Sequence, residues 1–172
     1  MKQVLIISLC VLPMLAFAQK TPQQEALGFI SFNEGKIIGL ANKLSQEQYA
    51  WRPAEGVRSV AEVFAHIASA NYFFMDAAGI PAPEGVNWQM MEKELTKKED
   101  IVNAVQNSYT FIKEQLNAMT VAQLTDPVTL PFPGEYTKQT LLFLIVDHIS
   151  EHLGQVIAYA RMNDVVPPWN EK

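Results

Sequence analysis

The chain has 172 residues, enough for one domain. Its 13 basic and 18 acidic side chains leave a formal net charge of −5, which argues against nucleic acid or an anionic lipid surface as the main partner. Its single cysteine, Cys10, falls in a segment expected to be removed, which excludes disulfides, iron–sulfur clusters and thiolate nucleophiles from the mature protein.

That segment is residues 1–18. It has a basic Lys2, a mostly apolar run from Val4 to Met14, and small residues at Ala16 and Ala18. This reads as a secretory signal peptide cut before Gln19. The apolar run is short for a membrane span, and Leu9 stands where a lipoprotein signal would place a small residue before Cys10. The expected product is one domain, residues 19–172, secreted or periplasmic, without a membrane partner and held by its core alone.

The first helix is expected from about Gln24 to Leu44, where Ala26, Phe29, Ile30, Ile37, Leu40 and Leu44 recur at helical period. Trp51-Arg52-Pro53 breaks into a loop ending at Gly56. Ser59 with Glu62 three residues on is a capping box, and the second helix runs from there to about Ala78. Gly79, Pro81, Pro83 and Gly85 force a loop. Thr96 with Glu99 reads as another capping box, opening a third helix along Ile101, Val105, Tyr109, Ile112, Leu116 and Met119. Pro127, Pro131, Pro133 and Gly134 exclude a helix in the next stretch, where Val128–Leu130 suits a short strand. The fourth helix spans about Thr137 to Asn163. Its LLFLIV run is apolar nearly all round, so it should be the most buried helix. The fold class is all-α, a four-helix bundle with long crossover connections.

The chain has three histidines. His148 and His152 stand four residues apart in one helical segment, about 6 Å of rise and about 40° of turn, and so share a face. His66 belongs to the second helix. Three imidazoles converging in a bundle core would hold one divalent ion, zinc, nickel, copper or ferrous iron, and leave a coordination position open, as catalytic sites do. The competing reading is three separate histidines, each bonded to a carbonyl or lying at the surface. A metalloprotease helix would carry Glu directly after its first histidine, where Ile149 stands.

Glu62 lies one turn before His66 on the same face. It suits a general base or an acceptor behind a metal ligand, although closing the capping box is the simpler role. Gln155 follows His152 by three and returns to the histidine face. Asp147 and Glu151 adjoin the histidines and sit about 100° away on the wheel, toward solvent or other helices. Asn33 interrupts the first helix's apolar stripe and is a weaker candidate. Trp51, Trp88 and Trp169 are expected in packing. Neither a nucleophile elbow nor a phosphate-binding glycine loop is present.

The motifs Y-A-W-R-P (Tyr49 to Pro53), R-S-V-A-E-V-F-A-H-I (Arg58 to Ile67), D-H-I-S-E-H-L-G-Q-V (Asp147 to Val156) and the late P-P together resemble the DinB-like family over about Ala26 to Pro168. The resemblance implies a crossed-over four-helix bundle, often a homodimer, and a divalent metal, zinc or nickel, on His66, His148 and His152. Similar proteins include thiol-dependent transferases and isomerases. Small thiols are mainly intracellular, so the export signal points away from a thiol-transfer role.

The expected protein is an exported metal-dependent hydrolase or transferase acting on a small molecule whose identity the chain does not reveal. Gln155, and less directly Glu62, would orient water or substrate. The alternatives are a metal-binding or interaction module without turnover, and a structural bundle without metal.

Overall fold

The computed structural model describes residues 19–171. The expected signal peptide, with Cys10, lies outside the described residues.

Helix α1 runs Pro22–Lys43. It starts two residues before the position read from periodicity, because Thr21 and Gln24 form a reciprocal cap and Pro22 fits the first turn. A short helix not expected from the pattern, α2 (Gln46–Tyr49), follows under a Ser45–Gln48 capping box. It buries Tyr49, whose hydroxyl donates to the Ala41 carbonyl at 2.8 Å.

Helix α3 (Val60–Ala77) begins where the Ser59–Glu62 pair indicates. Ser59 Oγ accepts the Glu62 N–H at 3.2 Å, and Glu62 Oε2 accepts the Ser59 N–H at 2.6 Å. It ends in a Schellman turn: Ile80 N–H reaches the Met75 carbonyl and Gly79 N–H the Asp76 carbonyl. Gly79 takes φ 80°, where a side chain would be strained. The following connection is not a plain loop. A 3-10 turn at Trp88–Met90 leads into a one-turn helix, α4 (Met91–Glu94).

Helix α5 (Lys98–Ala118) lacks the Thr96–Glu99 box expected from the sequence; its N-cap is Lys97, with no side-chain cap bond. The orphan end is served from α2 instead. Gln46 Oε1 accepts the Lys98 N–H at 2.8 Å and Gln46 Nε2 donates to the Thr96 carbonyl at 3.1 Å. A 3-10 turn at Val121–Thr125 then leads to strands β1 (Pro127–Val128) and β2 (Tyr136–Thr137), paired antiparallel. The strand expected over Val128–Leu130 therefore ends at Val128, and Leu130 is buried. Helix α6 (Lys138–Met162) closes the bundle, capped by Thr137.

The four long helices are α1, α3, α5 and α6. Both α1 and α3 pack chiefly against α5 and α6, which puts α1 across the diagonal from α3 and α5 across from α6. Two of the three connections between long helices therefore cross the bundle. Ile30, Ile37, Leu40, Phe64, Ile67, Ile101, Ile112, Ile145, Ile149 and Val156 fill the core. The most buried helix is α3, with 12 of its 18 residues buried, rather than α6 with 9 of 25. The LLFLIV run is not enclosed all round: Leu141, Leu142 and Ile145 face inward while Phe143 is 64% exposed. By length and composition alone α6 is also long and apolar enough to cross a membrane. Ala65, Ala68 and Ala70 of α3 are buried small residues.

Candidate metal centre

Helix α3 presents His66 and helix α6 presents His148 and His152 to the same point between them. One ring nitrogen from each lies within 4.8 Å of the others. His148 Nε2 is 3.1 Å from His66 Nε2. Ring centroids are 4.4 Å apart for His148–His152, 4.7 Å for His66–His152 and 5.0 Å for His66–His148. The reading of three unrelated histidines predicts no such meeting.

Each ring's remaining nitrogen has a different environment. His66 Nδ1 lies 2.6 Å from Glu92 Oε1 on α4. A carboxylate only accepts, so a neutral His66 carries its proton on Nδ1 and turns a bare Nε2 to the cluster. His152 Nδ1 lies 2.7 Å from Gln155 Oε1, which fixes the same tautomer there. His148 Nδ1 is buried without a partner.

Burial, reinforced by His152, His66 and Arg58, pushes the His148 imidazole down to about 3. Burial also holds His152 below the usual histidine range, against the opposing hydrogen bond from Gln155. These two rings are therefore neutral at physiological pH. With a neutral His66, two Nδ1–H imidazoles presenting bare nitrogens toward a third neutral ring form a donor set that fits a divalent cation. Two of the three rings have the oriented outer partner that metal-bound imidazoles usually have.

Glu92 is the residue that sequence reasoning missed. It sits in a connection read as a loop, with no periodic signal to point it at His66. Arg58 Nε donates to its other oxygen, Oε2, at 2.7 Å. Burial works to raise the Glu92 carboxyl, but the bonds from Arg58 and His66 outweigh it and hold the group below the ordinary carboxylate range.

The other candidates are distributed as follows. Gln155 joins the cluster through His152 and passes a further bond from Nε2 to the Tyr159 hydroxyl at 3.1 Å. Tyr159 packs edge-on to Trp51 at 5.2 Å, linking the Trp-Arg-Pro turn to the site. Glu62 is engaged elsewhere, by the Ser59 N–H and by Arg52 Nη2 at 3.1 Å; the Ser59 bond above all keeps its carboxyl low. It is not among the residues lining the histidine cleft. Asn33 is buried between helices, donating to Ser150 Oγ at 2.9 Å.

His66 and His148 open onto a cleft of about 450 Å³, with the buried His152 outside its lining. Its walls include Phe73, Phe74, Trp88 and Phe132, and the exposed Asp147 and Glu151 border it. The aromatic contacts run Trp88–Phe73 at 5.9 Å, Phe73–Phe74 at 5.4 Å and Phe74–His148 at 5.6 Å. One side of the cleft is thus an apolar wall leading to the histidines. A larger groove of about 710 Å³ between α1 and α6 shares Leu144 and Asp147 with this cleft and has no histidine in its lining.

Comparison with known proteins places this architecture. The chain is 29% identical over 126 residues to the uncharacterized protein YjoA of Bacillus subtilis (strain 168), covering 71% of this chain and 78% of that one. A DinB-like protein from Bacillus cereus ATCC 10987 superposes with a TM-score of 0.72 at 18% identity, covering 83% of this chain and 93% of its own. YfiT from Bacillus subtilis, described as a probable metal-dependent hydrolase with an unusual four-helix bundle topology, superposes with a TM-score of 0.66 at 15% identity over 87% of this chain and 93% of its own. The DinB superfamily model matches residues 31–156, from the middle of α1 through both α6 histidines, and the chain belongs to that superfamily.

Proposed function

We propose that this protein is an exported metal-dependent enzyme of the hydrolase or transferase type, acting on a small molecule. His66, His148 and His152 would hold one divalent ion, zinc or nickel first among the candidates. The observation that carries this reading is the meeting of three ring nitrogens within 4.8 Å at a cleft. The description of YfiT as a probable metal-dependent hydrolase supports it.

When bound, such an ion supplies Lewis acidity toward a carbonyl or phosphoryl oxygen and lowers the pKa of water at an open position. The chain's own residues do the rest. Glu92 and Gln155 hold two rings in the tautomer that presents Nε2. Phe73, Phe74 and Trp88 shelter one side of the cleft from water and offer apolar contact to a substrate. Asp147 and Glu151 stand at its exposed edge, where they are placed to accept a proton or orient a polar group. Glu62 serves the cap and the Arg52 contact.

Export rests on residues 1–18 alone, and cleavage would give a chain beginning at Gln19. Mass spectrometry of the protein from a native envelope or culture fluid tests that.

The functional test uses protein purified without an affinity-metal column. Elemental analysis should find one divalent ion per chain, lost to a chelator in His66→Ala, His148→Ala and His152→Ala while helical content persists. Stoichiometric metal retained in all three variants would overturn the reading. Turnover of ester, amide or thiol-transfer substrates that disappears with the metal would separate an enzyme from a metal-binding module.

A further inference from the structure

We infer that Glu92 is a positioning residue: it locks His66 with Nε2 toward the α6 histidines and ties the ion-binding cluster to the α4 wall of the cleft. The inference rests on the metal reading above. His66 has a side chain 22% exposed. Its χ2 is soft and roughly two-fold, so a half-turn of the ring would exchange Nδ1 with Cδ2 and Nε2 with Cε1, turning a carbon instead of Nε2 toward the α6 histidines. The 2.6 Å contact to Glu92 removes that freedom, because only an Nδ1–H satisfies a carboxylate.

Glu92 is itself held. Arg58 stands immediately before the α3 cap and donates Nε–H to the second carboxylate oxygen at 2.7 Å. The contacts therefore run from the start of α3, across to α4, and back to α3 at His66. No other described element ties α4 to the cluster by a hydrogen bond. The arrangement differs from that at His152, whose acceptor is a neutral amide on the same helix, and at His148, whose Nδ1 has no partner. Glu92 is the charged one of the two acceptors and the one supplied from a separate segment. That segment also carries Trp88, so the ion and the aromatic wall share an anchor.

The test measures zinc dissociation constants on the full-length mature chain by competition with a chromophoric chelator. The 15N shifts of the His66 ring are recorded in the same metal-free proteins at a pH where the ring is neutral. Glu92→Ala should weaken zinc binding about 10–100-fold and give His66 a mixture of tautomers. Glu92→Gln, whose amide oxygen still accepts from Nδ1, should lose about threefold to tenfold and keep the Nδ1–H form. Glu94→Ala, on the same short helix and exposed, should match wild type.

Equal zinc affinity in wild type and Glu92→Ala, with the His66 tautomer unchanged, overturns the inference and leaves the metal reading intact. Failure of wild type to take up zinc or nickel overturns both together. If Glu92→Ala does not fold, Glu92→Gln decides: a threefold or greater loss supports the role, and affinity equal to wild type removes it.

Discussion

His148 Nε2 and His66 Nε2 face each other at 3.1 Å, from residues 82 positions apart on two packed helices. Two bare imidazole nitrogens repel at that distance. Because Glu92 keeps the proton of a neutral His66 on Nδ1, the metal-free contact requires His148 to donate from Nε2, leaving its buried Nδ1 a bare acceptor. Holding a cation through Nε2 would require the other tautomer, with the His148 proton on Nδ1. At neutral pH the ring's charge does not change, only the site of its proton. The 15N spectrum of the metal-free chain should show His148 as the Nε2–H tautomer, and zinc should convert it to Nδ1–H. A single tautomer before and after zinc would contradict this geometry.

The same burial makes metal-free stability depend on pH. His148 is pushed from about 6.5 in the unfolded chain to about 3 in the folded one. Above about pH 6.5 the ring is neutral in both states and adds no slope. As pH falls through the interval from about 6.5 to about 3, the unfolded chain binds a proton that folded His148 refuses, so stability is lost. The lowered His152 acts in the same direction. Melting midpoints recorded from about pH 7.5 down to about pH 4 should fall more steeply for wild type than for His148→Asn. Parallel curves would show that His148 is not desolvated as the structure places it.

Much of this bundle was legible in the sequence. The long helices announce themselves because each must bury a stripe. Ser59–Glu62 and Thr137 mark their starts because capping is a local interaction over three residues. His148 and His152 share a face by helical geometry alone. What pattern reading missed is what depends on another part of the chain. Gln46 caps α5 from 52 residues away. Glu92 reaches His66 from a proline- and glycine-rich connection whose local signals say only that a long helix has ended. Thr96–Glu99 has the spelling of a capping box, yet α5 takes Lys97 as its N-cap and starts one residue later than the box requires. Phe143 sits in an apolar run but at a position the helix turns outward. Local rules report local bonds, and half of the support around this cluster is tertiary.

Gln155 tests how far an acceptor on the same helix matters. Its oxygen orients His152 at 2.7 Å and its nitrogen is anchored on Tyr159. Gln155→Ala frees the ring and should weaken zinc binding by about tenfold, the low end for loss of an outer partner, because the lost acceptor is neutral. Gln155→Glu should restore or exceed wild-type affinity by offering a charged acceptor. Should both variants bind zinc as wild type does, His152 is held by packing alone; at 7% exposure, packing is the rival explanation.

The reassigned α5 cap yields a stability prediction with a built-in control. Gln46 Oε1 accepts the Lys98 N–H and Gln46 Nε2 bonds the Thr96 carbonyl, so Gln46→Ala removes both contacts at an N-terminus that has no side-chain cap of its own. Loss of a cap costs about 1 kcal/mol. In a domain of this size that lowers the melting midpoint by about 2–4 °C. Thr96→Ala should change it by less than about 1 °C, since the structure uses the Thr96 carbonyl rather than its hydroxyl, whereas a working capping box would make it the costlier substitution. Differential scanning calorimetry of the two variants decides between them. A larger drop in Thr96→Ala would return the α5 start to the box spelled in the sequence.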